Sequence, residues 1–244
     1  MNWHATGITD RGLRRSTNED VYRVREDVGL FLVADGMGGH AAGEVASAIA
    51  ADVVEREGAD ALMEGVPIGP ALRQAVRHAH HAILARAAEE PEKAGMGTTI
   101  TALTLHPNEA RFQIAHVGDS RAYRLRGGTL EQLTTDHTWV QREVETGRLS
   151  PTEARAHPYA NILTRALGTP GEEPEIDLVE GDVVAGDLLL LCTDGVTSLI
   201  EDDDLHAIVG QSLPLETLAA QIVEAARIRG GHDNITAILI RATA

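Results

Sequence analysis

The chain has 244 residues, 43% of them hydrophobic and 24% charged, which is enough apolar material for a sizeable core. Aromatic residues make up 3%, so that core must be built from Ala, Val, Leu and Ile. With 37 acidic against 21 basic residues the formal charge is -16, which argues against nucleic acid or an anionic membrane as the main partner.

Taken in chain order, apolar runs predict strands at Leu30 to Ala34, Thr98 to Leu105, Arg111 to Val117, Ala122 to Leu125, Asp187 to Thr193 and Ile235 to Ile240. Helical spacing places Val45, Ile49 and Val53 on one face of a first helix, and Leu72, Val76, Ile83 and Leu84 on a second. Leu215, Leu218, Ile222 and Val223 mark a third. His78, His80 and His81 have polar flanks and read as a solvated face of the second helix. Residues 98–125 hold three strands with no room for a crossover helix, so their pairing is expected to be antiparallel. Sheets covered by helices therefore fit better than a doubly wound parallel sheet. Residues 137–168 are polar, with Gly147 and two prolines, and read as short helices forming a flap outside the main body. Cys192 lies inside an apolar run and reads as a buried structural thiol. One cysteine, no apolar stretch long enough to span a membrane and no signal-peptide pattern together predict a cytoplasmic protein.

The acids fall at strand ends. Asp35 follows Phe31-Leu-Val-Ala, Asp194 follows the Leu188 run, and Asp119 follows Phe112 to Gly118. Asp233 precedes the last strand, and Glu19-Asp20 precedes an early one. Any single Asp-Gly at a strand end is ordinarily a turn former. Five acidic strand ends that converged would repel one another without a cation. Oxygen donors select Mg²⁺ or Mn²⁺, and no Cys or His spacing competes for zinc. Such a site holds two ions about 3.5–4 Å apart sharing a carboxylate, and generates a bridging hydroxide that attacks phosphorus in line. Arg14-Arg15 lie close enough to Glu19 to bring a guanidinium fork to a phosphate.

Two other readings compete. Gly36-Met-Gly-Gly-His-Ala41 fits the G-x-G-x-x-A dinucleotide pattern, but Asp35 would press a charge towards the pyrophosphate. A module that binds phosphoproteins without hydrolysing them should have lost acids or the arginine, and none is missing.

In order, six segments resemble the metal-dependent protein phosphatase family (the PP2C type), in its compact bacterial branch. They are Gly12-Leu-Arg-Arg-Ser-Thr-Asn-Glu-Asp20, Val33-Ala-Asp-Gly-Met-Gly-Gly-His40, Gly95-Met-Gly-Thr-Thr99, Val117-Gly-Asp-Ser-Arg121, Leu191-Cys-Thr-Asp-Gly195 and Gly231-His-Asp-Asn-Ile-Thr236. The resemblance implies an α+β fold, a four-layer α-β-β-α sandwich of two antiparallel sheets flanked by helices. It implies one phosphatase domain over 1–244, with residues 137–168 as a mobile flap that influences substrate choice. Asp35 matches the carboxylate shared by both ions, and Gly36 the carbonyl that completes one coordination sphere. Asp194 and Asp233 match ligands of one ion, Glu19 the acid near the other, and Asp119 the ligand of a third. Arg15 matches the phosphate-binding arginine; Arg14 does not. Met37 stands where some relatives carry a proton-donating histidine, which leaves His40 as the nearest candidate general acid. The implied activity is hydrolysis of phosphoserine and phosphothreonine on proteins, with Mn²⁺ or Mg²⁺, opposing a Ser/Thr kinase, in a monomer that binds neither nucleic acid nor membrane.

Overall fold

The structure, a computed structural model, describes residues 1–38, 42–106, 108–171 and 173–244. In chain order the strands are β1 (Asn2–Asp10), β2 (Asp20–Arg25), β3 (Leu30–Met37), β4 (Gly97–Thr98), β5 (Ile100–His106), β6 (Arg111–Val117), β7 (Arg121–Arg126), β8 (Thr129–Gln132), β9 (Asp177–Asp182), β10 (Leu188–Cys192) and β11 (Ile235–Thr243). The helices are α1 (Gly43–Glu64), α2 (Ile68–Glu89), α3 (Trp139–Glu145), α4 (Pro151–Arg155), α5 (Asp194–Thr197), α6 (Asp202–Val209) and α7 (Leu215–Ile228). One sheet runs β1-β11-β10-β7-β8; the other runs β2-β3-β5-β6-β9, with β4 paired to the end of β3. Neighbouring strands in both sheets are antiparallel.

Period-two alternation sorts the apolar side chains into three cores. On β3, Leu30, Leu32 and Ala34 face α1 and α2, while Phe31 and Val33 face the other sheet. On β10, Leu188, Leu190 and Cys192 face the α6 and α7 side, while Leu189 and Leu191 point between the sheets. Strands buried on both faces lie between two helical layers, which gives four layers in all, as the sequence predicts. Cys192 is fully buried as expected, and burial pushes its thiol up to about 12, which keeps it inert. Among the described residues, no helix is long and apolar enough to cross a membrane.

Three expectations need correction. The buried stripe of α1 is Ala46, Ala50, Ala51, Val54 and Gly58, while Val45, Ile49 and Val53 are only partly buried. Small residues face inward because α1 packs closely on both β3 and α2, leaving the larger chains at the edges. Strands β5 and β6 pair as expected, but β7 leaves for the second sheet, where it pairs with β10. Gly118, at φ 113°, makes that crossing, and a side chain there would strike Thr99. His80 is not solvated: it is 2% exposed, and its Nδ1 accepts the Gly168 N–H at 3.2 Å. Burial holds its pKa below the usual histidine value.

The dinucleotide reading fails on topology. Both neighbours of β3 are antiparallel to it, whereas that motif needs a parallel βαβ unit.

Candidate metal and phosphate site

Five acidic segments meet at one end of the two sheets, in a cleft of about 940 Å³. Arg15, Glu19, Asp35, Gly36, Asp119, Asp194 and Asp233 all line it. The expected residues are thus brought together, except His40, which lies outside the described residues.

Local structure fixes each acid. Asp35 is the last acid of β3, and its backbone is held on both sides. Its N–H donates to Thr99 Oγ1 at 3.0 Å, and its carbonyl accepts from Thr99 N and Thr98 Oγ1, each at 2.9 Å. Thr99 Oγ1 and Ser120 Oγ lie 2.8 Å apart, which ties the β3 end to the Gly118-Asp119-Ser120 turn. Asp194 opens α5 directly after β10. Gly195 then passes so close to the Asn234 carbonyl that no side chain fits there, which brings α5 against Asp233. The Glu19 carboxylate lies against Gly43 in the first turn of α1, where a helix N-terminus favours negative charge. Its backbone carbonyl accepts from Ser47 Oγ at 2.6 Å and from Gly36 N at 3.2 Å.

Sequence reasoning passed over Asp20 and Asn234. Asp20 faces Asp35 across the β2–β3 ladder and is 7% exposed. Its Oδ2 accepts from Thr193 Oγ1 at 2.8 Å, while Oδ1 is buried with no hydrogen-bond partner among the described residues. The sequence shows Glu19-Asp20 as an acidic pair at a strand start, but the register that sets Asp20 opposite Asp35 comes only with the fold. Asn234 is 4% exposed and holds the loop that carries Arg15. Its Oδ1 accepts from Glu19 N at 2.8 Å, and its Nδ2 donates to Arg11 O and Thr17 O, both at 3.0 Å. Asn234→Ala removes three part-buried hydrogen bonds to the backbone of that loop, and is expected to destabilise the fold by about 2–4 kcal/mol. Thermal melts should show a drop of at least about 4 °C.

The acids repel. Burial first, then the carboxylates of Asp20, Asp194, Asp119 and Asp233, push Asp35 well above the usual carboxylate range. Burial and then Asp233 push Asp194 up to about 6, partly offset by a hydrogen bond with Asp35. Burial followed by the Asp194 charge raises Asp119 as well, and burial pushes Asp20 up to about 7. Asp194 Oδ1 is buried without a hydrogen-bond partner among the described residues. Two carboxylates in contact, two orphaned acceptors and, among the described residues lining the cleft, no Cys or His describe a setting for hard divalent cations. Among the described residues no three of these side chains form a closed ligand cage. Arg15 Nη2 donates to Asp233 Oδ2 at 2.6 Å. That bond, more than any other contact, raises the pKa of the half-exposed Arg15 guanidinium, which lines the cleft.

The protein phosphatase 2C sequence profile matches residues 13–229. The serine/threonine protein phosphatase PstP of Mycobacterium tuberculosis is 40% identical over 95% of this chain, which spans 43% of that protein's length. The serine/threonine phosphatase stp of Listeria welshimeri is 38% identical over 97% of this chain and 95% of its own length. A crystal structure of the PstP catalytic domain in complex with two manganese ions superposes with a TM-score of 0.86, at 35% identity over 99% of both chains.

Proposed function

We propose that this chain, which belongs to the protein phosphatase 2C family, is a metal-dependent phosphatase that removes phosphate from serine and threonine residues of other proteins. The observation that carries this reading is the meeting of Asp35, Asp119, Asp194, Asp233 and Glu19 with Arg15 in one open cleft. Asp35 would be shared by two divalent ions, with Asp194 and Asp233 on one and Glu19 and the Gly36 carbonyl nearer the other. Asp119, with Asp194, would serve a third. When bound, Mn²⁺ or Mg²⁺ supplies Lewis acidity at the phosphoryl oxygens and lowers the pKa of water.

The chain's own groups do the rest. Arg15 presents a planar fork to two phosphate oxygens, and its partner Asp233 sets its direction. The Thr98, Thr99 and Ser120 hydroxyls clamp the ends of β3 and β6, so that Asp35 and Asp119 keep their positions. The working unit would be a monomer with one phosphatase domain over 1–244 and residues 137–168 as its flap. The substrates would be products of a Ser/Thr kinase, and the free buried thiol suits the cytoplasm.

The test is hydrolysis of p-nitrophenyl phosphate and a phosphothreonine peptide by purified protein in Mn²⁺, Mg²⁺ and EDTA. Turnover that requires a divalent ion and stops in EDTA is expected. A folded protein that binds the phosphopeptide but turns over neither substrate under saturating Mn²⁺ would overturn the reading in favour of a binding module.

A further inference from the structure

The chain has seven aromatic residues, and five of them serve the buried cores: Tyr123, Phe31, Phe112, Trp3 and Tyr22. Trp139 and Tyr159 belong to none of the three cores. They meet each other on residues 137–168, with ring centroids 5.7 Å apart, and His157 packs against both at 5.1 and 5.4 Å. Tyr159 is 53% exposed, and Ile162 beside it is 49% exposed. The Trp139 N–H donates to the Ile162 carbonyl at 2.8 Å, which fixes the two side by side.

Shape-keeping does not account for this cluster. The segment is already closed at its base by pairing of Thr138 with Leu163, and by Thr164 N donating to His137 O at 2.8 Å. Its far end is pinned by Arg155 Nη2, which donates to the Thr197 and Ile200 carbonyls at 2.8 and 3.0 Å. On a chain of charge -16, Tyr159 and Ile162 together leave apolar surface in water, with the partly buried Trp139 behind Tyr159. Its place is informative. Within the run from Tyr159 to Leu163, Asn161 and Leu163 line the acid cleft, while Tyr159 and Ile162 face solvent. The patch is therefore the outer continuation of the cleft wall.

We propose that Tyr159 and Ile162, backed by Trp139, form a docking ledge for an apolar side chain of the phosphoprotein, close in sequence to the phosphorylated residue. This rests on the phosphatase reading above. A phosphoresidue held by Arg15 has its flanking chain leaving the cleft over this wall, where an aliphatic or aromatic neighbour buries surface and a charged one does not. A small ester has no flanking chain and does not reach the ledge.

The experiment compares phosphothreonine peptides that differ only by Leu or Gln at successive positions on either side of the phosphoresidue. At one or more positions the wild-type protein should show kcat/KM about fivefold or more higher for Leu. Ile162→Ser and Tyr159→Ser should each lose that preference, while p-nitrophenyl phosphate and the Gln peptides keep their rates. Ile162 lies outside the ring cluster, so its variant tests the ledge even if Tyr159→Ser disturbs the segment. Equal rates on Leu and Gln peptides throughout, or a preference that survives both substitutions, would overturn the proposal. So would a wild-type dimer in sedimentation that these substitutions convert to monomer, since the patch would then be a self-interface. Failure of the phosphatase reading is a separate result: no metal-dependent turnover of p-nitrophenyl phosphate. Tryptophan fluorescence on titration with the Leu peptide then decides the ledge by itself, supported by saturable binding that Ile162→Ser abolishes and overturned by none.

Discussion

Asp35→Asn is expected to leave a folded protein whose turnover of p-nitrophenyl phosphate falls at least about 10³-fold. The substitution keeps shape and removes charge. Both backbone groups of Asp35 are held by Thr98 and Thr99, so the side chain at this position stays in the cleft. What disappears is the carboxylate placed to serve two ions at once, and losing a single electrostatic stabiliser of a transition state typically lowers rates by about 10²–10³. A shared ligand should exceed that range. Asp119→Ala, at the rim of the cluster, should lose less, because the two-ion core keeps its acids. The same Asp35→Asn protein should melt several degrees higher than wild type in EDTA. It removes a carboxyl that the folded chain must keep protonated, because burial and then Asp20, Asp194, Asp119 and Asp233 disfavour its charge, while the unfolded chain has released that proton; each kcal/mol relieved raises the melting point by about 2–4 °C in a chain of this size. Lower activity with higher stability is the signature of residues gathered for function against their own electrostatics. Steady-state kinetics in Mn²⁺ and calorimetry in EDTA check the two halves. Full activity in Asp35→Asn would sink the assignment of the site.

Much of this was legible in the sequence because the acids mark strand ends. That these strand ends meet at one edge of the sheets is what the fold adds. The Phe31 and Leu188 runs gave the buried strands, and Asp35 and Asp194 follow them directly. Local patterns failed where tertiary packing decides. Periodicity assigned Val45, Ile49 and Val53 to the buried face of α1. The actual face is alanine-rich, since the helix lies close to β3 and α2, and closeness selects small residues. His80 looked solvated because its neighbours in sequence are polar, yet its partner is the Gly168 N–H, 88 residues away. The residues left the Glu19-Asp20 pair undivided and the family resemblance singled out Glu19, while the ladder register puts Asp20 opposite Asp35. Asn234 gave no sign of its role, because all three of its side-chain hydrogen bonds go to the backbone of a loop more than 200 residues earlier.

The same crowding predicts how stability should depend on pH without metal. Asp20 is pushed up to about 7, and Asp35 and Asp119 stand well above the usual carboxylate range. An unfolded Asp releases its proton near about 3.9. Above that value the folded chain keeps protons that the unfolded chain has lost, so this contribution is full at low pH and disappears as pH rises through the folded values. Buried histidines work in the opposite sense. Burial lowers His116 to about 4 and holds His80 and His137 below their ordinary value, so stability rises with pH until unfolded histidines, with a pKa of about 6.5, are neutral, about one unit higher. Between about pH 7.5 and 8.5 the histidines contribute almost no slope, and the acid cluster sets it. In EDTA the melting temperature should therefore fall over that window, by an amount equivalent to a few kcal/mol, less than the separate shifts would sum to because the acids titrate together. Saturating Mn²⁺ should raise the melting temperature and remove the fall, since an ion takes the place of the shared protons. Calorimetry at pH 6.5 in two buffers of different ionisation enthalpy should accordingly detect protons released as Mn²⁺ binds. A metal-free protein whose melting temperature is flat or rising from about pH 7.5 to 8.5 would show that the carboxylates do not crowd one another as the cleft geometry requires.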